Sequence, residues 1–306
     1  MDKKYDVVII GEGPAGMTAA IYATRAGLST LVVEKMFPGG QMGETSEIDN
    51  YPGFENISGF ELAAKMSAQA KKLGADSMRA DVLDFEFEED NNTVKTSAGD
   101  INARTVILAL GASHRHLGVV GEEKYRGLGV SYCATCDGNF FRGRDVCVVG
   151  GGNTALEDAL YLANICNKVY LIHRRDAFRG FETLAQKVSA TENITLVLNS
   201  TVEEISGNEK VDTVSVKNKL TGEITHLSVS GCFIAIGTSP NTELLHDKIN
   251  LTESGHIDAG ENTLTSLPGV FAAGDIRSKI SYQIVTACAD GAVAAHMAGV
   301  FISERG

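Results

Sequence analysis

The chain has 306 residues, of which 43% are hydrophobic and 22% charged, with 33 glycines and a formal net charge of −12. This length accommodates two domains, and the acidic balance excludes a nucleic-acid partner because a phosphate backbone requires a basic surface. No apolar run approaches the roughly 20 residues that span a bilayer, and the N-terminus lacks the pattern of a secretory signal. We therefore expect a soluble cytoplasmic protein with no membrane partner.

An apolar strand near the N-terminus leads directly into a glycine turn. The predicted elements are a strand over 5–10, a helix over 17–26 and a strand over 31–34, and the turn glycines are Gly11, Gly13 and Gly16. Glu34 ends the second strand 18 positions after Gly16, close to the spacing of about 20 expected for a residue that accepts hydrogen bonds from a ribose. This context favours a dinucleotide site over a merely tight structural turn.

The chain then continues through loops at 39–41 and 50–54, an amphipathic helix predicted over 59–73, a hairpin over 82–96 and a buried strand over 106–112. His114 and His116 come next, in a segment that resembles a crossover between domains. Two histidines without a third ligand nearby are a weak metal signal. We interpret the segment as a polar linker and predict no metal site.

Cys133 and Cys136 form a closely spaced pair, followed at once by Asp137. Two thiols at this spacing are either redox-active or half of a zinc site. A structural zinc site requires two further ligands, and the sequence contains no second C-x-x-C and no paired histidines at finger spacing. The spacing therefore favours a dithiol that opens and closes as a disulfide, with Asp137 as a proton donor or acceptor.

The first motif recurs 139 residues later, because residues 6–13 match residues 145–152. The repeat implies a second nucleotide site, with Gly150 and Gly152 in its turn. In this register His173 falls opposite Glu34 and is followed by a basic group, Arg174, Arg175 and Arg179. Guanidinium groups suit a 2′-phosphate, so the second nucleotide is predicted to be NADPH rather than NADH. The alternative is a solvated basic end of a strand.

The remaining segments complete both repeats. A strand over 232–238 echoes the strand over 106–112, and a second crossover covers 239–244. A turn and strand over 265–275 then end in Gly274 and Asp275. The helix predicted over 283–300 contains too many small and polar residues for a membrane span, and we expect it to pack against the first domain.

These motifs together resemble the low-molecular-weight thioredoxin reductases, a family of pyridine nucleotide-disulfide flavoproteins. The likeness covers nearly the whole chain, and its most specific part is the segment 130–137 around the cysteine pair. It implies an α/β fold with two Rossmann-like dinucleotide-binding domains, the second inserted into the first. The implied FAD-binding domain comprises 1–113 and 245–306, the NADPH-binding domain that carries the cysteines comprises 117–240, and the hinges comprise 113–117 and 239–244. The resemblance also implies a homodimer and a thioredoxin or thioredoxin-like partner.

The resemblance assigns roles to individual residues. Cys136 would lie next to the flavin, Cys133 would attack the protein substrate, and Asp137 would protonate the leaving thiolate. The implied FAD contacts are Gly11, Gly13, Gly16, Glu34, Gly40, Gln41, Asn50, Gly274, Asp275 and Gln283. The implied NADPH contacts are Gly150, Gly152, Asn153, Thr154, His173, Arg174, Arg175 and Arg179.

Two positions depart from the family pattern. Asn153 stands where the family usually has Asp, and Tyr282 stands where many members have Arg, which removes a positive charge near the flavin. Other functions on the same scaffold are a ferredoxin-dependent relative, a peroxiredoxin reductase, a dithiol oxidase and a non-catalytic flavin-bound redox sensor. The basic group around Arg174 favours NADPH as the electron donor. It therefore argues against a ferredoxin-dependent relative and against a dithiol oxidase.

Overall fold

The structure, a computed structural model, describes residues 4–45 and 47–306. Residues 1–3, which the predicted domain 1–113 includes, and Ser46 lie outside the described residues. The chain divides into two compact units. Unit 1 comprises Met1–Ser113 and Ser239–Gly306, and unit 2 comprises His114–Thr238.

In both units strands and helices alternate at first, and a run of consecutive strands follows. The strands are β1 Lys4–Ile10, β2 Thr30–Glu34, β3 Asp76–Arg79, β4 Val82–Glu86, β5 Asn92–Thr96, β6 Gly99–Leu108, β7 Ala112–His114, β8 Val130–Ser131, β9 Asp145–Gly150, β10 Lys168–Ile172, β11 Ile194–Val197, β12 Ser200–Gly207, β13 Val211–Asn218, β14 Ile224–Ser228, β15 Gly231–Ala235, β16 Thr238–Pro240 and β17 Val270–Ala272. The α-helices are α1 Pro14–Arg25, α2 Gly59–Lys72, α3 Ala134–Asp137, α4 Asn153–Ala163, α5 Glu182–Ala190 and α6 Ile284–Ser303. The predicted hairpin over 82–96 is β4–β5, and these strands pair antiparallel.

The sheet of unit 1 has the strand order β3-β2-β1-β6-β5-β4, and β17 also pairs with β6. β1 is parallel to β2 and β6, and β17 is parallel to β6. Side chains of β1 alternate between two buried apolar clusters, with Val7 and Ile9 in one and Val8 and Ile10 in the other. Both faces of the parallel part are therefore covered, and the carboxyl ends of its strands meet at one edge.

The main sheet of unit 2 has the order β11-β10-β9-β15-β8, and all its pairs are parallel. Its centre is also buried on both faces, since Val146 and Val148 belong to one apolar cluster and Cys147 and Val149 to another. A separate antiparallel sheet has the order β12-β13-β14. Unit 2 lies in the chain between the two segments of unit 1, and each unit carries a sheet with a parallel part whose strands are joined by helical crossovers. The predicted fold class is confirmed.

Helix α6 is the one helix of the described residues that is long and apolar enough to cross a membrane by length and composition, with a mean hydropathy of 1.5. It packs closely on α1, because a Cβ at Gly291 would overlap the backbone oxygen of Ala15. Ala294 and Ala298 on this helix are fully buried. These contacts make α6 a core helix of unit 1, as the sequence predicts.

Candidate active site

The first glycine turn connects β1 to α1. Gly11 has φ +104°, and a Cβ at Gly16 would overlap the carbonyl oxygen of Gly11, so both positions require glycine. Gly13 precedes α1, and a Cβ there would meet no heavy atom within 4 Å. The turn thus leaves open space in front of the first N–H groups of a helix, where a pyrophosphate binds favourably.

Glu34 stands at the carboxyl end of β2, beside this turn. Its Oε2 accepts a hydrogen bond from the N–H of Glu12 at 2.8 Å, and its Oε1 accepts one from the N–H of Met36 at 3.0 Å. Each carboxylate oxygen retains acceptor capacity, since an ionised carboxylate offers about four lone-pair sites. The carboxylate is therefore held in place and still able to accept from the hydroxyls of a ribose.

The other predicted FAD contacts in unit 1 lie around the same helix N-terminus. A Cβ on Gly40 would lie 3.7 Å from Cα of Gly13, and one on Gly274 would lie 2.9 Å from Cβ of Ala15. The amide of Asn50 donates to Oε1 of Gln283 at 3.2 Å. In addition, the Gln41 amide donates to the carbonyl of Ala112, and Asp275 directly follows Gly274 at the end of β17. The open turn and these converging polar groups fit a dinucleotide such as FAD.

The second glycine turn connects β9 to α4 in the same way. Gly150 is packed too closely for a Cβ, whereas a Cβ on Gly152 would meet no heavy atom within 4 Å. Asn153 begins α4, and its Oδ1 accepts from the N–H of Phe181 at 2.7 Å. The N–H of Arg179 donates to the carbonyl of Gly151 at 2.7 Å. The turn therefore fits a second nucleotide. It is hydrogen-bonded to the loop that carries Arg179, a member of the basic group.

The guanidinium groups of Arg174, Arg175 and Arg179 lie on exposed side chains. Within the part of the chain that the structure describes, none of the three forms an ion pair or a side-chain hydrogen bond. Arg174 and Arg175 come after β10, so they lie at the same sheet edge as the glycine turn after β9. Exposed cations beside the turn suit a phosphate group.

His173 occupies a different environment from the arginines that come after it. Its side chain is buried, and a Cβ at Gly151 would overlap its imidazole ring. Nε2 lies 3.1 Å from the carbonyl oxygen of Ala177, and burial lowers the pKa of the imidazole. The structure thus places His173 under the turn as a packed, neutral ring. Thr154, by contrast, is exposed in the first turn of α4.

The cysteine pair forms a disulfide between Cys133 and Cys136, with their Cα atoms 5.3 Å apart. Cys133 caps the short helix α3, and its Sγ accepts a hydrogen bond from the N–H of Cys136 at 3.2 Å. Ser131 connects the pair to the acidic neighbour, because its Oγ accepts from the N–H of Cys133 at 3.1 Å and donates to Oδ2 of Asp137 at 2.7 Å. Asp137 is therefore held by a hydroxyl bound to the cysteine backbone.

The position of the disulfide in unit 2 is set by the sheet. The pair comes directly after β8, which is parallel to β15, and the second glycine turn comes directly after β9, which is also parallel to β15. Carboxyl ends of parallel strands lie at one edge. The disulfide and the second nucleotide turn thus share the carboxyl edge of one sheet.

Tyr132, immediately before Cys133, belongs to a second polar network. Its hydroxyl donates to Oε1 of Glu122 at 2.8 Å, and Nδ1 of His116 lies 3.0 Å from the same hydroxyl. The ring of His114 stacks on the Tyr132 ring with centroids 4.8 Å apart. The two histidines of the predicted linker therefore pack around the residue that precedes the disulfide.

Sequence reasoning missed Ser131 and Glu122. Both are buried polar residues whose partners are close in space. Ser131 lies inside the motif, so its spacing of six residues from Asp137 offered a weak signal. Glu122 lies ten residues before Tyr132 in an irregular segment, and no sequence period marks it as buried.

The model of the pyridine nucleotide-disulphide oxidoreductase family matches residues 5–291, and the chain belongs to this family. Two relatives are thioredoxin reductases. The one from Bacillus subtilis (strain 168) is 43% identical over 304 residues, covering 99% of this chain and 96% of the relative, and the one from Mycolicibacterium smegmatis is 45% identical over 303 residues, covering 98% and 97%. The crystal structure of thioredoxin reductase from Streptococcus pyogenes MGAS5005 is similar with a TM-score of 0.94 and 43% identity, covering 99% of this chain and 100% of that chain.

Proposed function

We propose that this protein is a thioredoxin-disulfide reductase, which passes electrons from NADPH through FAD and the Cys133–Cys136 pair to thioredoxin or a thioredoxin-like protein. The observation that carries the proposal is the shared sheet edge in unit 2, which presents a disulfide and a nucleotide turn with exposed arginines. The open glycine turn of unit 1 supplies the second dinucleotide site. Family membership and the named relatives support the same conclusion.

The residues around the disulfide perform the thiol chemistry. Bound FAD would supply the two-electron step between the nicotinamide and the disulfide. Once the pair is reduced, the Cys133 thiolate attacks the target disulfide, and the Cys136 thiolate then attacks Cys133 Sγ, which releases the target as a dithiol. Asp137, oriented by Ser131, donates a proton to the leaving thiolate. The pair returns to the disulfide found in the structure.

The cofactor preference rests on Arg174, Arg175 and Arg179. Replacing Arg174 and Arg175 by Ala should raise the KM for NADPH about tenfold or more, because each charged hydrogen bond to a phosphate contributes about 1.5–3 kcal/mol. The KM for NADH, which lacks the 2′-phosphate, should change little. Arg144→Ala is the matched control, since Arg144 is exposed and precedes β9 at the opposite end of the strand from the turn. Equal effects on both nucleotides would contradict the assignment.

The route of the electrons is tested with Cys136→Ser. Anaerobic NADPH should still bleach the flavin absorbance of this variant, while reduction of thioredoxin stops. Cys166→Ser replaces a buried free thiol of the same unit and should leave both steps intact. Thioredoxin turnover by Cys136→Ser would show that the pair is not the conduit.

The domain assignment also belongs to the proposal. FAD binds to 1–113 with 245–306, and NADPH binds to 117–240. Because the disulfide and the nicotinamide site belong to one unit and both must reach one flavin, the segments 113–117 and 239–244 act as hinges. A cysteine cross-link between the units should block either reduction of the flavin by NADPH or reduction of the disulfide by the flavin, and leave the other half-reaction intact. Unaffected turnover of the cross-linked protein would exclude the hinge motion.

We further infer a cytoplasmic homodimer. Cys147, Cys166, Cys232 and Cys288 are free thiols, which suits a reducing compartment. Sedimentation of the purified protein should give twice the chain mass, and fractionation should recover the protein with cytoplasmic markers.

A further inference from the structure

Unit 1 contains a cluster of charged side chains beneath the predicted FAD site. Arg277 and Asp290 are 2% and 5% exposed, and the side chain of Lys279 is 3% exposed. Asp275, the predicted FAD contact, lies at the edge of this group with about a third of its side chain exposed. We refer to these four residues as the buried charge cluster. Buried charges of this kind require close partners, because desolvation is costly.

Asp290 is the centre of the cluster. Its two oxygens accept from Nη2 and Nε of Arg277 at 2.7 and 3.0 Å, and Oδ2 also accepts from the N–H of Gly274 at 2.9 Å and from Nζ of Lys279 at 3.0 Å. The forked contact with Arg277 already neutralises Asp290. Lys279 is therefore a second buried cation, and its Nζ lies 4.0 Å from Oδ1 of Asp275.

The charges of the cluster balance only when Asp275 is ionised. Arg277 and Lys279 contribute two positive charges, and Asp290 contributes one negative charge. The further partner of Arg277, Glu261, has a side chain that is 87% exposed, so its charge is well solvated and does little inside the unit. An ionised Asp275 supplies the missing negative charge.

We propose that Lys279 is a positioning residue for flavin binding, which holds the carboxylate of Asp275 ionised so that it accepts hydrogen bonds from a hydroxyl-bearing nucleotide. This inference rests on the proposed FAD site of unit 1. A protonated Asp275 would lose its charge and one of its acceptor oxygens, so it would accept more weakly from the hydroxyls of a sugar or polyol. Lys279 thus extends the pH range over which FAD is retained.

The other groups that face Asp275 explain why Lys279 is needed. Burial has the largest effect and leaves the pKa of Asp275 above its ordinary value, while Lys279 acts to lower this pKa and Asp290 on α6 acts to raise it. Tyr282, near the same carboxylate, has a pKa raised mainly by its own burial, so it remains neutral at physiological pH. From α1, the uncharged Ala15 lies against Gly274, the residue that precedes Asp275. Lys279 is the cation that opposes burial at this carboxylate.

The test measures FAD affinity of the full-length apoprotein against pH, from the fluorescence change of added FAD. In Lys279→Met the pKa of Asp275 rises, so FAD binding is lost as the pH falls through this raised pKa. The pH at which FAD affinity falls off in acid should therefore move up by about one to three pH units. Lys279→Arg should restore the wild-type profile. Lys248→Met is the matched control, because Lys248 pairs with Asp84 at 3.0 Å elsewhere in unit 1 and should leave the profile unchanged.

Asp275→Asn identifies the titrating group. This variant should bind FAD weakly at every pH, and adding Lys279→Met to it should produce no further shift. A wild-type profile for Lys279→Met, or a shift that persists in the Asp275→Asn background, overturns the inference while leaving the FAD site intact. Wild-type protein that does not bind FAD overturns both the inference and the proposed function. If Lys279→Met is insoluble, Lys279→Gln carries the same expectations.

Discussion

Glu122 provides the sharpest stability prediction in unit 2. Its carboxylate is 2% exposed and accepts from the N–H of Leu117 at 3.0 Å, from the N–H of Gly118 at 2.7 Å and from the hydroxyl of Tyr132 at 2.8 Å. Nδ1 of His116 lies 3.4 Å from Oε1. We predict that Glu122→Gln, which preserves the shape and removes the charge, strongly destabilises this unit.

The size of the effect depends on the donors around the two oxygens. Every partner of Glu122 that donates a hydrogen requires an acceptor, but an amide offers one oxygen and one NH₂ group. If the amide oxygen accepts from the hydroxyl of Tyr132 and the N–H of Leu117, the NH₂ group faces the N–H of Gly118. The hydrogen bond that Gly118 donates to the charged carboxylate is then lost. Losing it costs about 1.5–3 kcal/mol, and two opposed buried donors add to this. We expect a loss of about 2–4 kcal/mol.

Glu123→Gln is the matched control. The Glu123 side chain is 68% exposed, and its contact with His116 at 3.2 Å is a surface pair that contributes little. Thermal and denaturant unfolding of both variants should show a loss for Glu122→Gln and a change within about 0.5 kcal/mol for Glu123→Gln. Equal losses in the two variants would refute the reasoning.

The pH dependence gives a second check on Glu122. Burial acts to raise the pKa of this carboxyl, but hydrogen bonds from Tyr132, Leu117 and Gly118 outweigh it, and the pKa lies below its ordinary value. A lowered pKa contributes stability above the ordinary value of about 4.3, and this contribution is lost as the pH falls through the lowered pKa. The difference between wild type and Glu122→Gln should therefore be full near neutral pH and shrink in acid.

Three further predictions concern the glycine turns. Gly13→Ala should weaken FAD binding without changing the melting temperature of the apoprotein, because the new Cβ meets no heavy atom within 4 Å. Gly16→Ala should lower the melting temperature itself, because its Cβ overlaps the backbone. Gly152→Ala should likewise weaken NADPH binding, measured by titration, and leave FAD content unchanged. Asn153→Ala should lower the free energy of unfolding by about 1 kcal/mol and raise the KM for NADPH, because the N–H of Phe181 loses its acceptor. Asn153→Asp, which keeps an acceptor oxygen, should restore both the stability and the KM.

The repeated strand, turn and helix could be predicted because local patterns specify them. Residues 7–10 and 146–149 are apolar on both faces, and glycines come next at fixed spacing. The first helix begins at Pro14 rather than at the predicted residue 17, because proline is well tolerated in the first turn of a helix. The final helix extends to Ser303, three residues beyond its predicted end. The strand–helix order was therefore predicted better than the boundaries.

The polar networks could not be predicted, because they depend on burial that only the fold creates. Lysine is almost never fully buried, so the sequence offers no reason to place Lys279 inside unit 1. Its partner Asp290 lies on a helix that reads as small and apolar. The individual cofactor contacts stay predictions, and among the predicted contacts that have a side chain His173 is the one that the structure buries, under Gly151.

The two repeats share a glycine turn and differ at the carboxyl end of their second strand. In unit 1 this place is taken by Glu34, whose carboxylate is fixed by the N–H of Glu12 and would repel a 2′-phosphate at the ribose. In unit 2 the corresponding place is taken by a buried neutral His173, and the cations of Arg174 and Arg175 extend into solvent beside the turn. We therefore expect a phosphorylated ribose to bind beside the turn of unit 2 and to be disfavoured beside the turn of unit 1. The proposed assignment of FAD to unit 1 and NADPH to unit 2 rests in part on this difference at one position of each repeat.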